Sequence, residues 1–331
     1  MLPLVSYILP YYNGQDTIIG CLNSICSIDL PEKEWEAIIV DDHSPNPAEN
    51  CLKDYLLFHP NIRIVRHEVN KRPGGAKNTG ILLAKGEYIV FADQDDVIVP
   101  EFTKKALYIA KARDVDMLAC HYYVQKGVNM YDEGIDSGDG FIMSGREFCE
   151  HYFRTSHNLA PWANLYKREY LMKIAHPFEE NVLMEDSDWV AWHWIHANKV
   201  GIFNHPIYTW KMNPSSITHS QHYLHRADWV KFGYCKMRDA KLYNQLSSTF
   251  ASIMMQDGQW NIEGGMKKVW KVDNYRQFYR QLGRTLLDLQ EMEWRGMVKL
   301  LICYPRISLC LLYLFGSPLK YLYYARHKIV K

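Results

Sequence analysis

Two aspartates, Asp93 and Asp95, flank Gln94 directly after the apolar run Tyr88-Ile89-Val90-Phe91-Ala92. Their hard carboxylate oxygens suit Mg2+ or Mn2+. An ion held there acts as a Lewis acid and as a template for a phosphorylated ligand. A solitary Asp-x-Asp is more often a solvated acidic turn, but placement just past a buried strand favours a ligand set. Asp186, preceded by Glu185, is the candidate general base. A positioned carboxylate that takes a proton from an attacking hydroxyl contributes about 10²–10⁴-fold. Trp162, Trp189 and Trp192 can supply the partial desolvation that raises its pKa. Glu185-Asp186-Ser187-Asp188 also reads as an acidic helix start, which the helix dipole favours. The two roles are compatible.

Asp41 and Asp42 end a second apolar run, Ala37 to Val40, where a carboxylate can bind a ligand or cap the following helix. Pro10, Tyr12 and Asn13 form a loop in which Tyr12 can pack on a nucleobase, although Asn13-Gly14 also reads as a plain turn. Lys77 stands near a helix start behind Gly74 and Gly75, a setting for a phosphate or for a surface lysine. The pairs His193/His196 and His222/His225 have chelating spacing without an evident third ligand. His219 is a weaker candidate for the same site. Trp162, Trp192, Trp194, Tyr208 and Trp210 can form a sugar platform or pack in the core.

The elements that must position these groups alternate. Strands are expected at residues 4–10, 37–40, 62–65, 88–92 and 116–120. Helices are expected at 16–27, 47–58, 75–84 and 100–112. Such alternation predicts an α/β fold, a Rossmann-like and mostly parallel sheet covered on both faces. In such sheets ligands sit beyond the carboxyl ends of the strands. Residues 126–140, rich in Gly and Asp, are expected to be a loop. Residues 144–218 are mixed and aromatic, and 221–295 are helical.

Three segments taken in order resemble the family 2 glycosyltransferases of the GT-A fold. They are Val5-Ser6-Tyr7-Ile8-Leu9-Pro10-Tyr11-Tyr12-Asn13, then Ile38-Ile39-Val40-Asp41-Asp42-His43-Ser44, then Asn70 through Gly74-Gly75-Ala76-Lys77-Asn78 to Phe91-Ala92-Asp93-Gln94-Asp95-Asp96. Pro161-Trp162-Ala163-Asn164-Leu165-Tyr166 and Met184-Glu185-Asp186 match less closely. The resemblance covers roughly residues 4–220. It implies an inverting transfer from a nucleotide-sugar, with UDP as the nucleotide. Asp95 would hold Mn2+ or Mg2+, and Asp93 would touch the ribose or the metal shell. Asp42 would accept from the uracil N–H, and Gln94 would lie with Pro10, Tyr12, Asn13, Asp41 and Lys77 at the nucleotide. The family usually has Arg at the Lys77 position and often Gly at His43. Residues 1–125 would bind the nucleotide-sugar and 126–220 the acceptor. Residues 221–331 would form a helical C-terminal extension.

The full chain has 331 residues and a net charge of +1, which gives no nucleic-acid signature. Its 8 cysteines include no Cys-x-x-Cys pair, so reduced thiols are expected rather than zinc or a disulfide framework. No secretory signal is read at the N-terminus, and the longest apolar stretch is shorter than the roughly 20 residues a bilayer needs. A cytoplasmic protein is expected. Lys299, Arg306, Lys320, Arg326, Lys328 and Lys331 interleave with apolar and aromatic residues, and no acidic residue follows Glu293. Such a tail suits the anionic inner leaflet, where a lipid-linked or other glycan acceptor would be found. A sugar-phosphate nucleotidyltransferase would need a Gly-rich basic loop where Leu9-Pro10-Tyr11-Tyr12-Asn13 stands. A non-catalytic sugar-binding module would not need carboxylates at 93, 95 and 186.

Overall fold

The computed structural model describes residues 2–135, 140–152, 160–212, 222–267, 269, 272 and 274–305. The chain forms two compact units, Met1–Asn181 with Glu185–Asn213, and Val182–Met184 with Pro214–Lys331. The first contains β1 (Val5–Tyr11), α1 (Ile18–Cys26), β2 (Trp35–Asp41), α2 (Ala48–Leu56), β3 (Ile62–Arg66), α3 (Arg72–Leu83), β4 (Tyr88–Phe91), β5 (Val97–Ile98) and α4 (Pro100–Arg113). It continues with β6 (Met117–Lys126), β7 (Asn129–Glu133), β8 (Ile142–Met143), α5 (Gly145–Tyr152), β9 (Asn164–Lys167), α6 (Arg168–Ile174), α7 (Asp186–His196) and β10 (Val200–Lys211).

The strands form one sheet in the order β3-β2-β1-β4-β9-β6-β10-β5, with β7 on β6 and β8 on β10. β1 to β4 pair in parallel. Every residue of β2 and β4 is buried, as expected of strands covered on both faces. β9 runs antiparallel to both β4 and β6, so the sheet is mixed where a mostly parallel one was expected. The expected loop at 126–140 also contains a strand. β7 folds back on β6 through Gly127 and Val128, with Gly127 at φ +61° in a region where glycine is least strained. All of β7 is exposed, so no apolar alternation marked it in the sequence.

Pro10 shapes the mouth of this sheet. The β1–β4 register stops at Ile8 and Phe91, with the Ala92 N–H donating to the Ile8 carbonyl. The next rung would need a donor at residue 10, and proline has none. The two strands therefore stop pairing at their carboxyl ends, between Tyr12 and Asp93.

The second unit contains α8 (Tyr223–Tyr243), α9 (Ser248–Lys267), α10 (Tyr275–Leu282), α11 (Arg284–Gln290) and α12 (Gly296–Cys303). α8 and α9 cross closely, and a Cβ on Gly233 would lie 2.6 Å from the Gly258 carbonyl oxygen. Val230, Ile262, Met266, Phe278, Leu282 and Leu289 pack in its core. Among the described residues, no helix is long and apolar enough to cross a membrane. His219 and the tail from Arg306 onward lie outside the described residues, and of the tail cations named above only Lys299 lies within them.

Candidate active site

The loop after β1 is clasped by Gln94. Its side-chain Nε2 donates to the Tyr12 carbonyl at 2.9 Å, and its Oε1 accepts from the Tyr12 N–H at 3.0 Å. A Cβ on Gly14 would fall 2.1 Å from Gln94 Oε1, so glycine is what lets the clasp close. Asn13 takes a left-handed turn at φ 51°. Its N–H donates to Ser44 Oγ at 2.8 Å, and the Ser44 hydroxyl donates to Asn13 Oδ1 at 3.0 Å. The loops after β1, β2 and β4 are thereby tied together, leaving Tyr12 45% exposed beside them.

Asp41 and Asp42 divide their work. Asp41 is fully buried; it accepts from the Ser44 and Ala48 N–H groups at 2.7 and 2.9 Å and pairs with Arg66. That is a cap for α2 and an anchor for β3. Asp42 donates its N–H to the Tyr11 carbonyl at 2.9 Å, which sets it against the Tyr12 turn. Its Oδ1 accepts from His67 Nδ1 and from the Lys71 N–H, both at 2.8 Å.

Beyond β4, the Asp93 N–H donates to the Tyr208 hydroxyl oxygen at 3.0 Å, and that hydroxyl donates to Asp96 Oδ2 at 2.8 Å. The Lys211 N–H donates to Asp96 Oδ1 at 2.8 Å. Burial, and then the Asp93 charge, push Asp96 up to about 8. The aspartate turn is thus bolted to β10. Trp162 stacks on Tyr208 with centroids 4.8 Å apart and planes 9° apart, and on Trp210 at 6.1 Å. Three of the five expected platform aromatics therefore come together beside the aspartates. Trp192 stacks instead on His176 at 4.6 Å, and Trp194 packs on Phe148 at 4.2 Å.

Glu185 stands at the N-cap position of α7 without a side-chain cap hydrogen bond, and Asp186 is the first residue of that helix. Lys77, on the buried face of α3, pairs with Glu185 Oε1 at 2.5 Å. Its ammonium, expected at a phosphate, is committed here to a carboxylate. A Cβ on Gly74 would meet the Glu179 carbonyl at 2.2 Å and the Glu185 Cβ at 3.2 Å, so this glycine permits the close approach. Burial pushes Asp186 up to about 6, reinforced by Glu185 and Asp93 and opposed by Lys77. Asp93 is also pushed up to about 6 by burial, opposed by Lys77 and reinforced by Asp95 and Glu185. Asp93, Lys77, Glu185 and Asp186 therefore feel one another's charge, although they come from the turn after β4, from α3 and from the start of α7.

The family model for glycosyl transferase family 2 matches residues 6–174, a span that contains the loops after β1, β2 and β4 and the Lys77 helix, while Glu185, Asp186 and the β10 residues lie beyond it. The chain belongs to glycosyl transferase family 2. Curated relatives include the uncharacterized glycosyltransferase EpsJ of Bacillus subtilis, 28% identical over 66% of this chain and 64% of EpsJ. The poly(ribitol-phosphate) beta-glucosyltransferase of Bacillus spizizenii is 34% identical over 34% of this chain and 18% of its own length. Among solved structures, S. aureus TarS 1-349 in complex with UDP-GlcNAc superposes with a TM-score of 0.61 at 18% identity, over 86% of this chain and 85% of that one. The mannosyltransferase PcManGT of Pyrobaculum calidifontis, in complex with GDP-Man and Mn2+, gives 0.56 at 16% over 99% and 87%. The fold is GT-A.

In this family 2 chain, no group of three or more His, Cys, Asp and Glu side chains gathers as a metal cage among the described residues. Two carboxylates on the Asp93-Asp95 turn are nonetheless a fitting donor set. Mg2+ is commonly bound by one or two carboxylates, with substrate phosphates and waters completing its shell. Burial chiefly, and then the Asp95 and Glu185 charges, raise Asp93, and a cation there would offset both. The histidine pair on α7 is engaged elsewhere: the ring Nδ1 atoms of His193 and His196 sit 2.7 and 2.8 Å from the carbonyls of Trp189 and Trp192. Sequence reasoning missed Glu185 as the partner of Lys77, the Asp96–Tyr208 brace and His67. Each of these joins residues far apart in the chain, and nothing in the sequence next to either partner marks it.

Proposed function

We propose that this chain is an inverting, metal-dependent glycosyltransferase. It moves a sugar from a UDP-sugar to a hydroxyl of a glycan or lipid-linked acceptor in surface polysaccharide synthesis. The observation that carries the reading is the buried Lys77–Glu185 pair, which holds the α7 start with Asp186 against α3, where burial raises both Asp93 and Asp186. A metal-binding turn and a carboxylate base must share one neighbourhood for a single displacement. The relatives support it. One is a poly(ribitol-phosphate) beta-N-acetylglucosaminyltransferase, TarS, and TarS 1-349, a fold neighbour of this chain, was solved with UDP-GlcNAc.

Asp93 and Asp95 would hold Mn2+ or Mg2+ against the diphosphate. When bound, the ion supplies Lewis acidity that offsets the charge of the leaving nucleotide. The rest is done by the chain. Tyr12 packs on the base, and Asp42 accepts from the uracil N–H. Gln94 holds the Tyr12 turn in register with the aspartates. Asp186 takes the proton of the acceptor hydroxyl, its affinity for that proton raised by burial. Lys77 compensates Glu185 and so limits the charge gathered around Asp186. Trp162 and Trp210 offer a face for an acceptor sugar. The basic tail from Lys299 onward places the enzyme on the inner face of the plasma membrane.

The test is a panel of UDP-sugars with Mn2+, followed by UDP release and the anomeric configuration of the product. Release of UDP with inverted product supports the reading. Binding without release on any donor or acceptor would leave a sugar-binding module on the same fold.

A further inference from the structure

We infer that His67, held in place by Thr79, is a positioning residue that sets the nucleobase preference of the donor site by aiming the Asp42 carboxylate. The inference rests on the reading of Asp42 as the group that meets the base.

His67 follows β3, and its N–H donates to the Asp41 carbonyl at 2.9 Å, which fixes its backbone against β2. Ring Nδ1 lies 2.8 Å from Asp42 Oδ1. An ionised carboxylate only accepts, so the ring donates there. The other nitrogen, Nε2, lies 2.8 Å from Thr79 Oγ1 on α3. The imidazole is thus gripped at both ends, and its side chain is 9% exposed. The Lys71 N–H is the second donor to the same oxygen, at 2.8 Å, and Asn70 Nδ2 donates to the Asp42 carbonyl at 2.8 Å. Both side-chain bonds fall on Oδ1. Among the described residues, Oδ2 receives no hydrogen bond.

A carboxylate so held presents one acceptor in one direction beside the exposed Tyr12 ring. A pyrimidine with an N–H at ring position 3, as in uracil, satisfies it. Cytosine offers a lone pair at that position and is repelled. Without His67, Asp42 keeps a single donor and regains rotational freedom, which binding must then remove. Discrimination comes from the fixed direction of the acceptor as much as from its charge.

Calorimetry of UDP and CDP with Mn2+ tests this on the full chain. The unaltered protein is expected to prefer UDP by about tenfold or more, the scale of one hydrogen bond to a charged group. His67→Phe should lose most of that preference by weakening UDP. His67→Asn, whose amide can donate near the Nδ1 position, should recover it. Thr79→Val should shift the ratio in the same direction by less. A folded His67→Phe protein with the original UDP/CDP ratio, alongside an Asp42→Ala protein that has lost it, would overturn the role of His67. If Asp42→Ala keeps the ratio, the base-binding reading of Asp42 fails, and the inference with it. Should His67→Phe not fold, an unchanged ratio in Thr79→Val overturns the proposal.

Discussion

Lys77 Nζ lies 2.5 Å from Glu185 Oε1, although the two are 108 positions apart in the chain, and each side chain is 5% exposed. The pair joins α3 to the start of α7 and brings in a positive charge that opposes the burial raising both Asp93 and Asp186. It is a structural joint and an electrostatic control in one contact.

Breaking that joint from one side should be costly. Lys77→Met leaves Glu185 buried without its cation, and removal of one partner of a buried pair costs about 3–5 kcal/mol. Replacing both, as Lys77→Met with Glu185→Leu, should regain much of the loss, because neither charge is then stranded. Urea denaturation of the two variants checks this. Equal destabilisation of the single and double variants would contradict it.

The pH profile follows from Asp186. Its pKa is pushed up to about 6, and only the ionised form accepts a proton. Transfer should fall about tenfold per unit as pH drops below about 6, and this limb should be absent from the residual activity of Asp186→Asn. The stability sign is the reverse. The folded value lies above the ordinary carboxylate value of 3.8, so the native state binds the extra proton between the two. The stabilisation this group gives is full below 3.8 and is lost as pH rises through about 6. Asp186→Asn should therefore raise the melting temperature at pH 7.5 relative to its effect at pH 4.

Asp95→Ala removes one of the two proposed ion ligands without touching the Tyr208–Asp96 brace. Mn2+-dependent UDP binding should weaken by at least about tenfold, the loss of one charged ligand contact. Calorimetry with and without Mn2+ measures it. Unchanged Mn2+ dependence would remove the turn from metal binding.

Much of the site was legible because it lies where apolar runs stop. Asp41-Asp42 and Asp93-Gln94-Asp95 stand at or just past the ends of strands whose continuous burial writes itself into the sequence. Partners distant in the chain were not legible. Nothing local to Asp96 announces Tyr208, 112 residues on, and Lys77 gives no sign of Glu185. The antiparallel entry of β9 escaped for a related reason: a strand of 4 residues carries no direction in its pattern. The exposed β7 carries no burial signal.

The most direct measurement compares Asp186→Asn with the unaltered chain for both sugar transfer and UDP–Mn2+ affinity in one preparation. Transfer should fall by at least about 10²-fold while UDP affinity stays within about threefold. Near-normal transfer by Asp186→Asn would contradict a carboxylate base at this position and with it the displacement proposed for this site.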